Sequence, residues 1–308
     1  MDLKKLLAKE QRAYLRRNRE GWEEHLFKAR SFLGEGLRRA DPDRPVLILG
    51  AGTGLEIPWR LAPQDTTGWD ADPWSRLGTA LRHRRLPAWV FTDFTGGFAE
   101  LDRLAQRSIR LPGGTGRRPL ELAIRRLAGL LPTLRPDAAP LRTWIEAHRP
   151  GTILAANVLG QLGCVAERIV EAAFRPEHPW PQDPDAADPL VPLLDAWTGR
   201  TVQAVCTVLL DSGADLWLLH DRAVVHGGTP PRLGPLAPAW MQQLQGDACL
   251  EVSDPLVGLD LLACFQGREQ TAFDRWLWPV GPGQTHLMEA LAFAGRSSLP
   301  SPEGMETV

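Results

Sequence analysis

Five short, mostly apolar runs, VLILG at 46–50, TTGWD at 66–70, AWVFT at 88–92, TILAA at 152–156 and ADLWLLH at 214–220, alternate with longer stretches of helical spacing such as 73–84, 158–174 and 192–212. Runs of four to seven residues have the length of strands, and the helical stretches between them supply crossover connections. This alternation predicts an α/β fold, doubly wound around a mostly parallel sheet. The last part of the chain follows another rule. FDRWLWPV at 273–280, Gly281-Pro282-Gly283 and QTHLMEALAF at 284–293 read as two strands joined by a tight turn, so an antiparallel hairpin is expected to close a seven-stranded sheet.

Ahead of the first strand, Leu3, Leu6, Leu7 and Tyr14, then Trp22, Leu26, Ala29, Leu33 and Leu37, recur at three-, four- and seven-residue steps among charged residues. That spacing predicts two amphipathic helices breaking near Asn18 to Gly21, forming an N-terminal helical cap over 1–44 that Asp41-Pro42-Asp43-Arg44-Pro45 terminates. The main domain then spans 45–296. Within it, 94–149 is longer than one crossover requires and reads as an inserted helical segment or lid, with a turn at Pro112–Gly116 and a helix from about Leu120 to Leu131. Residues 175–192 are rich in Pro and Asp and read as an exposed loop, and 297–308 as a flexible tail.

Charge is divided unevenly. Residues 1–149 hold 27 Lys and Arg against 18 Asp and Glu, and residues 150–308 hold 8 against 19, leaving a net charge of −2. Such a split marks either a face for an anionic partner or a compositional bias with self-complementary packing. The first 20 residues lack the continuous apolar stretch of a signal peptide or membrane span, so a cytoplasmic protein with no membrane partner is expected. Cys164, Cys206, Cys249 and Cys264 lie far apart with no CxxC pair or Cys/His cluster, which predicts four separate thiols, no disulfide framework and no metal site.

Chemistry concentrates at strand ends. Gly50-Ala51-Gly52-Thr53-Gly54 follows the first strand and is expected to precede a helix beginning near Leu55, the place where a Rossmann-like sheet binds its nucleotide. Glycine there permits close approach of backbone to ligand; a bare strand-to-helix turn is the alternative. A dinucleotide fingerprint wants a third glycine where the chain has Leu55, so the spacing fits an S-adenosylmethionine site better than a pyrophosphate site. Asp70, twenty residues after Gly50 and followed by Ala71, is placed to accept both ribose hydroxyls, while Asp72 before Pro73 reads as a helix cap.

On these residues, 46–93 resembles the first three motifs of class I S-adenosylmethionine-dependent methyltransferases, and TILAANVLGQL at 152–162 resembles their fourth. The resemblance implies S-adenosyl-L-methionine as cofactor, with Gly50, Ala51, Gly52, Gly54, Asp70 and Ala71 in contact with it. It further implies that Asp93 and Phe94 hold the adenine, that Asn157 and Val158 meet the methionine end, and that a hairpin closes the sheet. The first strand has Ile48 where the family usually has an acidic residue. Glu56, read as lying in the first turn of the next helix, is placed to take over part of that role or to favour the helix N-terminus.

Asn157 is followed by Val158-Leu159-Gly160 rather than Pro-Pro and an aromatic residue, which argues against base amino methylation; the acidic second half and the lack of aromatics interleaved with the arginines argue against nucleic acid as partner, so a small molecule is the expected substrate. Ten arginines against five acids in 94–149 predict an anionic substrate if that surface faces the pocket, a solvated basic surface being the alternative. His220, Asp221 and Arg222, read as following the fifth strand, are the substrate-side candidates, together with Tyr14 and Trp22 of the cap, beside which stands His25. Surface polarity after a strand and core packing of the cap are the alternatives. No residue identifies itself as a general base. The competing functions are a nicotinamide-dependent oxidoreductase and a non-catalytic methyltransferase-like binding protein.

Overall fold

The computed structural model describes residues 22–52, 54–84, 87–109, 117–174, 189–227, 251–281 and 283–296. Tyr14, the first helix of the cap, the turn at 112–116, most of the 175–192 loop and the 297–308 tail lie outside the described residues.

A central, mostly parallel sheet organises the molecule. Its strands are β1 (Val46–Leu49), β2 (Thr66–Trp69), β3 (Ala88–Val90), β4 (Thr152–Ala156), β5 (Asp215–His226), β6 (Glu251–Ser253), β7 (Gln270–Gly281) and β8 (Gln284–Phe293). The order is β3-β2-β1-β4-β5-β8-β7, with β6 added to the far end of β5. The first five strands in that order run parallel; β8, β7 and β6 are antiparallel to their neighbours. The expected hairpin is present. The sheet has eight strands rather than seven, because β6, a three-residue edge segment with no apolar run, pairs with a β5 that continues beyond its expected end.

Alternate side chains of the buried strands serve opposite faces. Leu47, Leu49, Ile153, Ala155, Leu216 and Leu218 join one core cluster, and Val46, Ile48, Leu154, Ala156, Trp217 and Leu219 join the other. The first face is covered by Phe98–Ile109 (α3), Arg117–Leu130 (α4), Ala139–His148 (α5), Leu162–Phe174 (α6) and Val191–Asp211 (α7). Segment 94–149 thus holds three helices whose Leu101, Ala105, Ile124, Leu127, Leu141 and Ile145 share the core of the sheet. The second face is covered by Glu23–Arg39 (α1), through Ala29, Leu33 and Leu37, and by Ile57 and Trp59. Pro73–His83 (α2) joins β2 to β3, and Leu261–Cys264 (α8) precedes the hairpin. Among the described residues no helix is long and apolar enough to cross a membrane.

Two expectations fail for identifiable reasons. The helix predicted to start near Leu55 is absent: between β1 and β2 the described chain makes only a 3₁₀ turn, Trp59–Leu61. Pro58 and Pro63 fall within six residues of each other; neither can donate a helical hydrogen bond, and each disfavours helical geometry in the residue before it. The second failure is the end of the fifth strand. His220, Asp221 and Arg222 lie inside β5, not after it, because β8 runs alongside for its whole length.

Candidate ligand site

The direction of strand addition reverses between β1 and β4, so their carboxyl ends flank the position where open α/β sheets bind ligands. Here the glycine loop leaves β1. Gly50, Gly52 and Gly54 have φ of 64°, 46° and 68°, the left-handed region open to glycine. Two of the three glycines are also required by packing: a Cβ on Gly50 would stand 2.4 Å from Val158 Cβ, and one on Gly54 2.4 Å from Trp59 Nε1. Gly52 does something else. Its N–H donates to Asp70 Oδ2 at 2.9 Å, while Asp72 N–H donates to Asp70 Oδ1 at 2.8 Å.

Asp70 therefore ties the loop to the end of β2. Burial outweighs these two backbone donors and pushes its pKa up to about 6, with the nearby charge of Asp72 adding to the rise. A hydrogen bond from the Ser75 side chain joins the two backbone donors in favouring the ionised carboxylate. Ala71 lies between the two acids. Asp72 caps α2, accepting from Trp74 N–H at 3.0 Å, and the Trp69 indole donates to Thr92 O at 2.6 Å, holding the end of β3 beside that of β2. Asp93 is engaged by its own segment: Oδ1 accepts from Thr95 N–H and Oγ1–H at 2.8 and 2.7 Å, and Oδ2 from Phe98 N–H at 2.8 Å, at the start of α3. Phe94 is a core residue, set edge-on to Trp69.

Across the reversal, Asn157 ends β4 at φ 53°, its N–H donating to Leu219 O at 2.8 Å. Its side chain is buried, and neither amide atom has a hydrogen-bond partner among the described residues. Val158 packs against Gly50, and Gly160 comes within 3.0 Å of Asp221 as measured from a Cβ built on the glycine.

The second face adds a wall. Ala51 is buried there. Glu56, in the irregular loop rather than in a helix, has Oε1 3.7 Å from Nε2 of the buried His25. His25 Nδ1 accepts from the Trp276 indole at 3.2 Å, so in the neutral ring the proton sits on Nε2, toward Glu56. His25 stacks on Trp278 at 3.9 Å, and Trp22 meets Trp278 edge-on at 4.8 Å. The N-terminus of α1 is thereby joined to both the glycine loop and the hairpin.

The fifth-strand candidates separate. His220 is wholly buried, Nε2 3.3 Å from Glu289 Oε1, and Arg275 also pairs with Glu289. Burial works to raise the Glu289 pKa, but His220 and Arg275 together hold it below the usual carboxylate value. Arg222 is the extra residue where the β5–β8 register shifts, and turns to Asp254 at 2.9 Å. Asp221 faces the opposite way from His220 and bonds His286: Nδ1 of the imidazole lies 3.0 Å from Asp221 Oδ1. A carboxylate only accepts, so Nδ1 carries the proton and Nε2, 3.0 Å from the Gln284 side-chain nitrogen, is the basic atom.

His286 was not foreseen. The alternation of Gln284, His286 and Met288 in the last strand signals a shared face, but only the pairing of β8 with β5 brings His286 to Asp221. Among the described residues no group of three or more His, Cys, Asp or Glu is disposed to hold a metal ion. No protein-family model and no curated protein matches the chain.

Proposed function

We propose that the chain binds S-adenosylmethionine at the carboxyl edge of β1, β2 and β4, in a doubly wound Rossmann-like domain, and transfers its methyl group to a small molecule. The observation that carries this reading is Asn157: a buried amide with no partner among the described residues costs free energy unless a ligand completes it, and it stands across the strand reversal from the clamped glycine loop. The residues fit the group. Asp70 brings a carboxylate to the end of β2 beside the glycine loop, where the ribose hydroxyls would lie, and Glu56 brings one near the loop for an ammonium group. The missing helix after the loop favours an adenosyl cofactor over a nicotinamide dinucleotide, whose pyrophosphate is held by a helix N-terminus at this position.

When bound, the cofactor supplies an electrophilic methyl group on a sulfonium. The chain's own work is alignment, and the glycine loop, Asp70 and Asn157 fix the donor. A protonated acceptor needs a base; His286, whose Nδ1 is held by Asp221, is the candidate, its Nε2 taking the proton once the Gln284 amide releases it. Calorimetry tests the reading. S-adenosylmethionine and S-adenosylhomocysteine are expected to bind in the micromolar range, and Gly52→Asp to abolish binding by placing a second carboxylate against Asp70. Binding of NAD with neither adenosyl compound would overturn it. Release of S-adenosylhomocysteine in the presence of a small-molecule extract separates catalysis from binding alone.

A further inference from the structure

We propose that Cys206 and Cys264 are a hydroperoxide-reactive thiol pair, in which Cys264 is oxidised first and Cys206 resolves it to a disulfide joining α7 to α8. Cys164, Cys206 and Cys264 are free thiols, Cys249 lies outside the described residues, and Cys206 and Cys264, remote in sequence, meet in the fold. Gln203 and Cys206 lie one turn apart on α7, and Cys264, the last residue of α8, packs onto that turn with its Sγ 3.8 Å from Gln203 Oε1 and the Cys206 thiol as its hydrogen-bonding neighbour. The two sulfurs differ in access. Cys206 is 1% exposed within the core, whereas Cys264 is part-exposed. They differ in acidity too: the hydrogen bond from Cys206 holds the Cys264 thiol down at about 7, and the same bond, with burial, holds Cys206 well up. Cys164 contrasts with both, since desolvation and the carboxylates of Glu167 and Asp221 push it up to about 11.

The chemistry balances with a hydroperoxide as oxidant. The Cys264 thiolate attacks the peroxide oxygen; an S–O bond forms, the O–O bond breaks, the sulfur loses two electrons and the alcohol or water leaves. The Cys206 thiol then displaces hydroxide from the sulfenic acid, giving the disulfide and one water. The partner helix can yield, for α8 spans only four residues and Gly267 beyond it, at φ 88°, has open space around its α-carbon.

The test treats the full chain with hydrogen peroxide, alkylates remaining thiols and maps peptides by mass spectrometry. A Cys206–Cys264 linked peptide is expected in the wild type, reversed by dithiothreitol. In Cys206→Ser the reaction is expected to stop at a Cys264 sulfenic acid that dimedone traps. Without peroxide, iodoacetamide at neutral pH is expected to label Cys264 at least about tenfold faster than Cys164, because the difference in thiolate content outweighs the greater exposure of Cys164. No linked peptide in the wild type, or oxidation of Cys164 as fast as Cys264, would overturn the proposal. The wild-type result does not depend on the folding of any variant or on the cofactor.

Discussion

Asn157 and Asp70 carry opposite kinds of debt at the same sheet edge, and each makes a measurable prediction. The Asn157 amide loses water on folding and gains no partner among the described residues, a penalty of about 1–3 kcal/mol for a buried polar group. Asn157→Gly keeps the left-handed backbone without strain and removes that penalty, at about 0.5–1 kcal/mol of extra unfolded-state entropy. Urea denaturation is therefore expected to show unchanged or higher stability, by up to about 2 kcal/mol, while calorimetry shows weaker S-adenosylmethionine binding. A clear loss of stability would mean that the amide has a structural role. Asp70 is linked to pH. Its folded pKa, about 6, lies above its unfolded value, so the folded state binds the extra proton between about pH 4 and 6 and the contribution of Asp70 to stability falls as pH rises through that window. Ribose hydroxyls need the ionised form as acceptor. Cofactor affinity is thus expected to be level above pH 7 and to fall as pH drops through about 6. Asp70→Ala is expected to lower it by about 1–3 kcal/mol and to abolish that pH dependence.

Helix α1 shows how an element is decided by what it touches. Propensity alone favours Ala over Gly by about 1 kcal/mol inside a helix. At Gly36 a Cβ would come within 2.6–2.9 Å of the Trp217 ring, so Gly36→Ala is expected to destabilise by about 1–3 kcal/mol, the range for overpacking. At Gly78 in α2 nothing lies within 4 Å, and Gly78→Ala is expected to stabilise by about 0.5–1 kcal/mol. Opposite signs in two denaturation curves check the pair; equal signs would show that Trp217 yields freely. The same dependence on neighbours explains what the sequence disclosed. VLIL and TILAA read clearly because strands buried on both faces are apolar throughout. The glycine loop, Asp70 and Asn157 were legible because each sits at the end of such a run. The length of β5 was not legible, since His220, Asp221 and Arg222 look like a strand exit until Glu289, His286 and Asp254, remote in sequence, pair with them. Helix α3 carries a clear stripe, Phe98, Leu101, Ala105 and Ser108, but the turn residues around it suggested a lid. The absent helix after Gly54 had its warning in Pro58 and Pro63.

At the scale of the molecule, the two oppositely charged halves of the chain are not separate bodies. β1 belongs to the basic half and lies between β2 of the same half and β4 of the acidic half, with Val46 in register with both Thr66 and Thr152. The core clusters on either face likewise draw from both halves. A sheet stitched in this way predicts one cooperative unfolding transition. The proposed ligand contacts also bridge the halves, Gly52 and Asp70 on one side and Asn157 on the other, so binding acts on the same transition and not on a local one. At a ligand concentration one hundred times Kd, linkage contributes about 2.7 kcal/mol. Spread over the unfolding entropy of a chain of 308 residues, that raises Tm by about 4 °C. Scanning calorimetry with S-adenosylhomocysteine is expected to show a single peak displaced by that amount, in wild type but not in Gly52→Asp. Two peaks of which only one moves would mean that the ligand holds one half alone, and that the strand reversal between β1 and β4 is not where it binds.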